Sequence, residues 1–185
     1  MGSKVIMAMT LLTTNSGTNQ ASMSFTSKID STYKLYIFKF IDINPATDEA
    51  EFTFQVNATD GADYNDSAIT STFFRAAHSE DDTTLASLSY DAAFDQAQGT
   101  AFQNISVHLG NGADESTAGT MWLFNPSSTT YVKHFYSIFN AYQYQDQSRN
   151  YYCSGYINDA TAVDDIQFKM DSGNFDGTIK MYGVG

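Results

Sequence analysis

The sequence predicts an all-β protein: a single antiparallel β-sandwich, jelly-roll-like, with at most one short helix near 91–98. Three observations support this prediction. Several segments alternate apolar and polar residues with a period of two, which is the spacing of a strand with one buried face. Turn-forming pairs such as Asp60-Gly and Asp176-Gly separate these segments. The chain also contains 14 Phe and 12 Tyr, residue types that are favoured in strands.

The first predicted strands show the alternation clearly. Ala21–Thr26 alternates small polar and apolar residues, and Glu51–Val56 places its two phenylalanines and its valine on one face. Between them, Tyr33–Ile41 is apolar on both faces apart from two lysines. Because such a strand is typical of a central position, we expect its second face to meet the other sheet or a partner chain.

The remaining strands are predicted from the same pattern. They are Ile69–Ala77, Ala101–Leu109, Thr120–Phe124, Thr130–Tyr142, Tyr151–Ile157, Val163–Met170 and Thr178–Tyr182. Asp91–Gln98 has a composition that favours helix and is followed by Gly99, so this segment could form one or two helical turns. Residues 21–185 are predicted to form the sandwich domain, and residues 1–20 an N-terminal arm or attachment segment.

Composition limits the partners that the protein can bind. Lys and Arg number 9 and Asp and Glu number 21, which gives a formal net charge of −12. Phosphate backbones repel such a chain, so we expect no nucleic-acid partner. No apolar run approaches the roughly 18 residues that span a bilayer, so we also expect no membrane insertion. Charged residues make up only 16% of the chain, so the polar surface must consist largely of Ser, Thr, Asn and Gln.

The sequence offers no set of side chains suited to catalysis. Its histidines and its one cysteine are His78, His108, His134 and Cys153, and none lies in a local motif of nucleophilic catalysis. Acidic pairs occur at Asp81/Asp82, Asp114/Glu115 and Asp164/Asp165. Such pairs could serve polysaccharide cleavage, but neighbours on a strand point to opposite faces, so Asp164 and Asp165 are not expected to share a substrate. We therefore predict a protein that is not an enzyme and has no cofactor.

A weak calcium site is the one metal candidate. Oxygen-bearing side chains are dense in one short loop, at Asp60, Asp63, Asn65 and Asp66. Hard cations prefer such ligands, but the spacing does not match an EF-hand loop. Because Asp and Asn also favour turns, we expect these residues to form a surface turn and to hold no metal.

Tyrosine is concentrated between residues 131 and 156, among glutamines and asparagines. Tyrosine rings suit both interfaces and β cores, because one end is apolar and the other polar. The segment therefore has two interpretations: a contact surface for a protein or glycan, or a hairpin of Thr130–Tyr142 and Arg149–Ile157 with half its rings in the core. The residues predicted for a contact surface are Tyr131, Tyr136, Tyr142, Tyr144, Arg149 and Tyr151.

Three parts of the chain carry a family resemblance. They are Met9–Thr18 with Met23–Ser27 and Ile29–Phe40, then Asn125–Phe135, and finally Phe168–Gly183. Together they resemble a family of small virion-associated proteins of tailed, mostly marine, bacteriophages, whose chains end in a pattern close to SGNxxxGTIxLYG. The resemblance covers nearly the whole chain from Met7 onward, with Met181 where the pattern has leucine, a volume-conserving exchange.

The resemblance implies a non-enzymatic structural protein on the surface of a phage particle, assembled in the host cytoplasm. It allows two places in the particle: capsid decoration, or a tail fibre or tip component. Its partners would be other virion proteins of the capsid or tail, and we expect a homo-oligomer, for example a trimer. The alternative function is a carbohydrate-binding module that recognises a host glycan through the Tyr-rich segment 131–156. The resemblance carries over no functional residue.

Overall fold

The computed structural model describes residues 8–59 and 63–185, and their strands pair antiparallel throughout. Within these ranges there are thirteen strands and no helix. The strands are β1 (Met9–Gln20), β2 (Met23–Phe25), β3 (Leu35–Pro45), β4 (Ala50–Ala58), β5 (Ile69–Ser79), β6 (Ala86–Tyr90), β7 (Ala97–Gly99), β8 (Gln103–Leu109), β9 (Thr117–Phe124), β10 (Lys133–Gln143), β11 (Gln147–Ile157), β12 (Val163–Met170) and β13 (Phe175–Val184). The all-β, sandwich-like fold predicted from the sequence is confirmed.

The strands form two layers that meet at a corner. The larger layer has the order β1-β13-β3-β9-β10-β11-β5, and both β6 and β7 pair with the far side of β5. The smaller layer has the order β8-β4-β12-β2. The layers join where Gln143 of β10 pairs with Leu109 of β8. At the two ends of the path, the Asn15 amide of β1 donates to the carbonyl oxygen of Ser24 in β2 at 2.8 Å, so the sheet almost surrounds one core.

Phenylalanine rings from both layers fill that core. Phe40 of the larger layer lies 5.0 Å from Phe168 and 5.6 Å from Phe52 of the smaller layer, measured between ring centroids. Phe54 and Phe135 approach across the layers to 4.9 Å. All five rings are at most 2% exposed. The contacts are edge-to-face, a geometry that contributes about 0.5–1.5 kcal/mol per pair beyond area burial.

Two segments that the sequence does not predict as strands contribute strands to the sheet. Residues 91–96 form a turn that leads into β7, and the short helix allowed near 91–98 does not form. The main-chain N–H of Asp91 donates to the carbonyl oxygen of Phe73 in β5 at 2.9 Å, which holds the start of this segment to the sheet. Residues 9–20 of the predicted N-terminal segment form β1, which pairs with β13, and residues 1–7 lie outside the described residues.

The closing motif 172–182 has a structural role. Gly173 and Gly177 have φ values of 73° and 146°, which glycine adopts at no steric cost. Between and after these turns, Phe175, Ile179 and Met181 are fully buried. The motif thus enters the core as β13, which is paired with β1 on one side and β3 on the other.

Replacing Phe168 with alanine tests the core. The Phe168 ring contacts five other phenylalanine rings, so Phe168→Ala should lower the free energy of unfolding by about 3–5 kcal/mol, measured by urea denaturation. Tyr131→Ala is the matched control, because Tyr131 is 71% exposed, and its effect should stay within about 0.5 kcal/mol. Equal effects of the two changes would contradict this packing.

Candidate functional site

The structure separates the residues predicted for a contact surface. Tyr136 and Tyr142 lie on β10 and point away from the core. Tyr131 lies in the loop before β10 and is well exposed. Tyr144 lies in the turn after β10, half-buried, with its ring centroid 6.3 Å from that of His108. These four residues are spread along the length of one strand and its flanking turns, and they do not form one site.

Arg149 and Tyr151 point into the protein. Tyr151 is fully buried, and its hydroxyl donates to the carbonyl oxygen of Val107 at 2.5 Å. Arg149 is also buried, and its Nε donates to Oε1 of Gln147 at 2.9 Å. Burial raises the pKa of Tyr151 to about 12. Odd-numbered positions of β11 face inward because side chains alternate along a strand, so neither residue can contact a ligand at the surface.

The calcium candidate lies partly outside the described residues, since Asp60 is not among them. The other three, Asp63, Asn65 and Asp66, lie in an exposed turn between β4 and β5. The Asn65 amide donates to Oδ2 of Asp63 at 3.1 Å. Within residues 8–59 and 63–185, no group of three or more His, Cys, Asp or Glu side chains could hold a metal ion.

The histidines lie on three different strands. Nε2 of His78 lies 3.1 Å from Oδ1 of Asp82 at the surface of the protein. His134 points outward from β10, with its ring 6.3 Å from that of Tyr156. His108 is half-buried next to Phe94, and this burial lowers the pKa of its imidazole. These contacts place no histidine beside a nucleophile that it could activate.

The acidic pairs occupy turns and a bulge. Asp81 accepts hydrogen bonds from the hydroxyls of Thr84 and Ser79, which lower its pKa. Glu115 accepts a hydrogen bond from the main-chain N–H of Gly112. Asp164 and Asp165 lie where the pairing of β12 with β4 shifts register, so strict alternation does not apply to them. Burial, and then the charge of Asp164, raises the pKa of Asp165.

The outer face is the part of the larger layer's solvent side that is formed by outward side chains of β9, β10, β11, β5 and β6; it ends at β3, where Lys39 pairs with Thr120 of β9. Its rings are Phe74, Tyr90, Trp122, Phe124, Tyr136, Tyr142, Tyr152 and Tyr156. Its hydroxyl, amide and imidazole groups are Thr70, Thr72, His78, Thr120, His134, Asn140, Ser148, Asn150 and Ser154. Its other members are Ala76, Ala86, Leu88, Ala118 and Ile138. None of these residues is Asp, Glu, Lys or Arg, although the chain carries a net charge of −12.

A groove of about 430 Å³ crosses the outer face beside Tyr136. On one side, β9 supplies Phe124 to the lining, and the rings of Phe124 and of the neighbouring Trp122 stack on Tyr136 at 5.6 Å and 4.6 Å between centroids. On the other side, β11 and β5 supply Ser154 and Thr72, whose hydroxyl oxygens are 3.0 Å apart. Across the sheet, the short side chains of Ser154 and Thr72 follow directly after the large rings of Trp122 and Tyr136, and this change in side-chain size leaves the space of the groove.

The edge of the larger layer at β6 is the second feature of this surface. The N–H of Ser79 in β5 donates to the carbonyl oxygen of Leu85 at 2.9 Å, just before β6 begins. Main-chain groups alternate in direction along an antiparallel strand, so odd positions from 85 to 91 bond to β5. The N–H and C=O groups of Ala86, Leu88 and Tyr90 therefore point away from β5, along the free edge.

The side chains at this edge are apolar and exposed. Leu88 is 75% exposed and Tyr90 is 57% exposed. The five residues of β6 read Ala-Ser-Leu-Ser-Tyr, without a charge or a proline. Natural proteins commonly use charges and prolines to keep edge strands from pairing with other chains. β6 itself contains neither, but the Tyr90 hydroxyl at its end donates to a carboxylate oxygen of Asp95, and the short length of the strand limits the pairing it can offer.

Sequence reasoning did not identify Trp122, Phe124, Thr72 or Ser154 as site residues. The alternation within β9 could have placed both rings outward, since Met121 and Leu123 between and before them are typical core residues. What the sequence does not reveal is that β9 and β11 lie on either side of β10. That pairing is what brings the stacked rings and the two hydroxyls to one groove.

Comparison of the chain with protein-family models and with curated proteins finds no match. In the described part of the chain, no helix is long and apolar enough to cross a membrane.

The thiol of Cys153 provides a test of the inward face of β11. Burial, with a smaller effect of the Asp95 charge, raises the pKa of Cys153, so native protein should not react with a thiol reagent such as DTNB. Unfolding in guanidinium chloride should release one reactive thiol per chain. Ser148→Cys is the control, because Ser148 is exposed on the outward side of the same strand and should react at once. Rapid modification of the native wild-type protein would contradict the orientation of β11.

Proposed function

We propose that the protein is a non-enzymatic structural subunit at the surface of a phage particle, and that copies of it join through the free edge of β6. The observation that carries this proposal is the free edge of β6, a strand that contains no charged residue and has Leu88 and Tyr90 exposed. Such an edge presents unpaired N–H and C=O groups that a strand from another chain can complete. The catalytic candidates, by contrast, lie apart from one another or in turns.

A second copy is the partner that fits this edge. Two β6 strands paired antiparallel about Leu88 would bond the outward N–H and C=O groups of Ala86, Leu88 and Tyr90 in both copies. β6 has only five residues, so main-chain pairing alone gives a short contact. The exposed Leu88 and Tyr90 side chains add apolar area that pairing would bury. This contact joins copies in pairs, so the trimer expected from the resemblance would require a different contact.

The phage setting is supported by the resemblance of three segments, which ends in the closing motif of β13. A capsid decoration protein and a tail fibre or tip component both place repeated copies on a particle surface. A contact between sheet edges serves either arrangement, because it leaves the outer face open.

Leu88→Pro tests the proposed contact. Proline at position 88 removes an N–H from the free edge and leaves the bonds to β5 in place, as edge strands tolerate. We expect wild-type chains to form dimers as concentration rises and Leu88→Pro chains to stay monomeric, measured by size-exclusion chromatography with light scattering. Leu88→Thr is the matched control: it keeps the N–H but loses apolar area, so it should dimerise more weakly than wild type.

The salt dependence of dimerisation gives an independent test of the β6 contact. Each copy carries a charge of −12, so copies repel, and salt screens this repulsion beyond about 8 Å at physiological ionic strength. Dimerisation of the wild type should therefore strengthen as salt is raised. A wild type that is monomeric at all concentrations and salts, or a Leu88→Pro variant that dimerises as well as wild type, would contradict the contact.

The location of the protein is tested by quantitative mass spectrometry of purified particles of the phage that encodes it. We expect the chain to copurify with the particle. A copy number close to that of the major capsid protein would indicate decoration, and a few copies per particle would indicate the tail. Absence of the chain from purified particles would contradict the proposed role.

A further inference from the structure

We propose that the groove beside Tyr136 is a binding site for a neutral saccharide. This site goes beyond the structural role and is separate from the β6 edge. It lies where β10, β11 and β5 run side by side, and its lining includes Thr72, Phe124, His134, Tyr136, Ser154 and Tyr156. Its volume of about 430 Å³ falls within the range of small-ligand sites, about 300–1,000 Å³.

One wall of the groove is a fixed aromatic ring. Trp122 and Phe124 stack on Tyr136 with interplanar angles of 21° and 26°, and both belong to β9 on the same side of it. The opposite side of the Tyr136 ring faces β11, where Ser154 is its direct cross-strand neighbour. Because Ser154 is small, that side of the ring remains uncovered, and Tyr136 is 39% exposed. A pyranose ring presents an apolar C–H face that fits such a wall.

The floor of the groove offers hydroxyl groups. Oγ1 of Thr72 and Oγ of Ser154 lie 3.0 Å apart on paired strands. Each hydroxyl has one donor and two acceptor sites, so the bond between them leaves acceptor sites unused. The imidazole of His134 adds a further hydrogen-bonding group at the lining. Sugar hydroxyls around a stacked ring are the partners that these groups would bind.

The backbone around the groove argues against a peptide ligand. β10 is paired with β9 and β11, and β11 is paired with β10 and β5. Their N–H and C=O groups are therefore used within the sheet, and an extended peptide would find no edge to join. Recognition in this groove must come from rings and hydroxyls.

The charge of the groove selects a neutral ligand. Its lining residues include no Asp, Glu, Lys or Arg, in a chain that has 21 acidic residues. A charged sugar would lose hydration in the groove without gaining an opposite charge, and the acidic remainder of the protein would repel an anionic one. A saccharide of neutral hexoses or N-acetylhexosamines meets both conditions.

The test is a binding titration of the full chain with neutral oligosaccharides of glucose, galactose, mannose and N-acetylglucosamine, by calorimetry and by NMR. We expect at least one of these probes to bind the wild type. Tyr136→Ala should then raise Kd by about tenfold or more, because the stacking wall is lost, whereas Tyr136→Phe should keep Kd within about threefold. Ser154→Val should also weaken binding, since it removes a hydroxyl and fills the floor.

Two matched controls separate this site from its surroundings. Tyr131→Ala removes an exposed ring outside the groove and should leave Kd unchanged. Leu88→Pro should likewise bind saccharide as the wild type does, so loss of dimerisation and loss of binding are distinguishable. Thermal unfolding of each variant confirms that it is folded.

Three results would overturn the saccharide site. The first is no binding of any probe at millimolar concentration. The second is a folded Tyr136→Ala variant that binds as tightly as wild type. The third is tighter binding of sialylated or uronic-acid oligosaccharides than of neutral ones, or binding of peptides alone, either of which would show that the groove recognises a different ligand.

Discussion

The register of strand pairing around β10 is the constraint on which the rest of the structure depends. β10 pairs residue by residue with β11 along its whole length and with β9 from Phe135 to Ala141. Its odd positions enter the core, where Phe135 and Phe139 are buried, and its even positions form the middle of the outer face. A slip of one residue would exchange the two sets. The core and the candidate binding surface are therefore two consequences of one pairing pattern.

The sequence predicts the fold class and most strands, because period-two alternation and turn residues are local signals. The prediction from sequence fails for residues whose burial or position depends on which strands pair with each other. Arg149 and Tyr151 are buried because β11 is covered on its odd side, and Phe124 lines the groove because β9 neighbours β10. β6 is short and exposed, so no apolar alternation marks it. Segment 91–98 has helical composition, yet its bonds to β5 hold it against the sheet.

Acidic residues of the chain lie around the outer face and not among the residues that form it. Several acidic side chains are held in turns at the ends of strands, as Asp81 is after β5 and Asp146 is between β10 and β11. A net charge of −12 makes copies of the chain repel one another. Contacts centred on Leu88 or on the groove beside Tyr136 avoid the desolvation of ionised groups, which is costly unless those groups are paired. Tyr90, by contrast, is hydrogen-bonded to the carboxylate of Asp95. Close contact is therefore least costly on the surfaces formed by the larger layer.

Hydrogen exchange of individual β6 amides, followed by NMR at low and high protein concentration, tests most directly the claim that the larger sheet continues from one copy into the next. At low concentration, the amides of Ser87 and Ser89 should be protected by β5, and those of Leu88 and Tyr90 should exchange rapidly. At high concentration, Leu88 and Tyr90 should become protected while Ser87 and Ser89 are unchanged. Rapid exchange of Leu88 and Tyr90 at every concentration would contradict the claim.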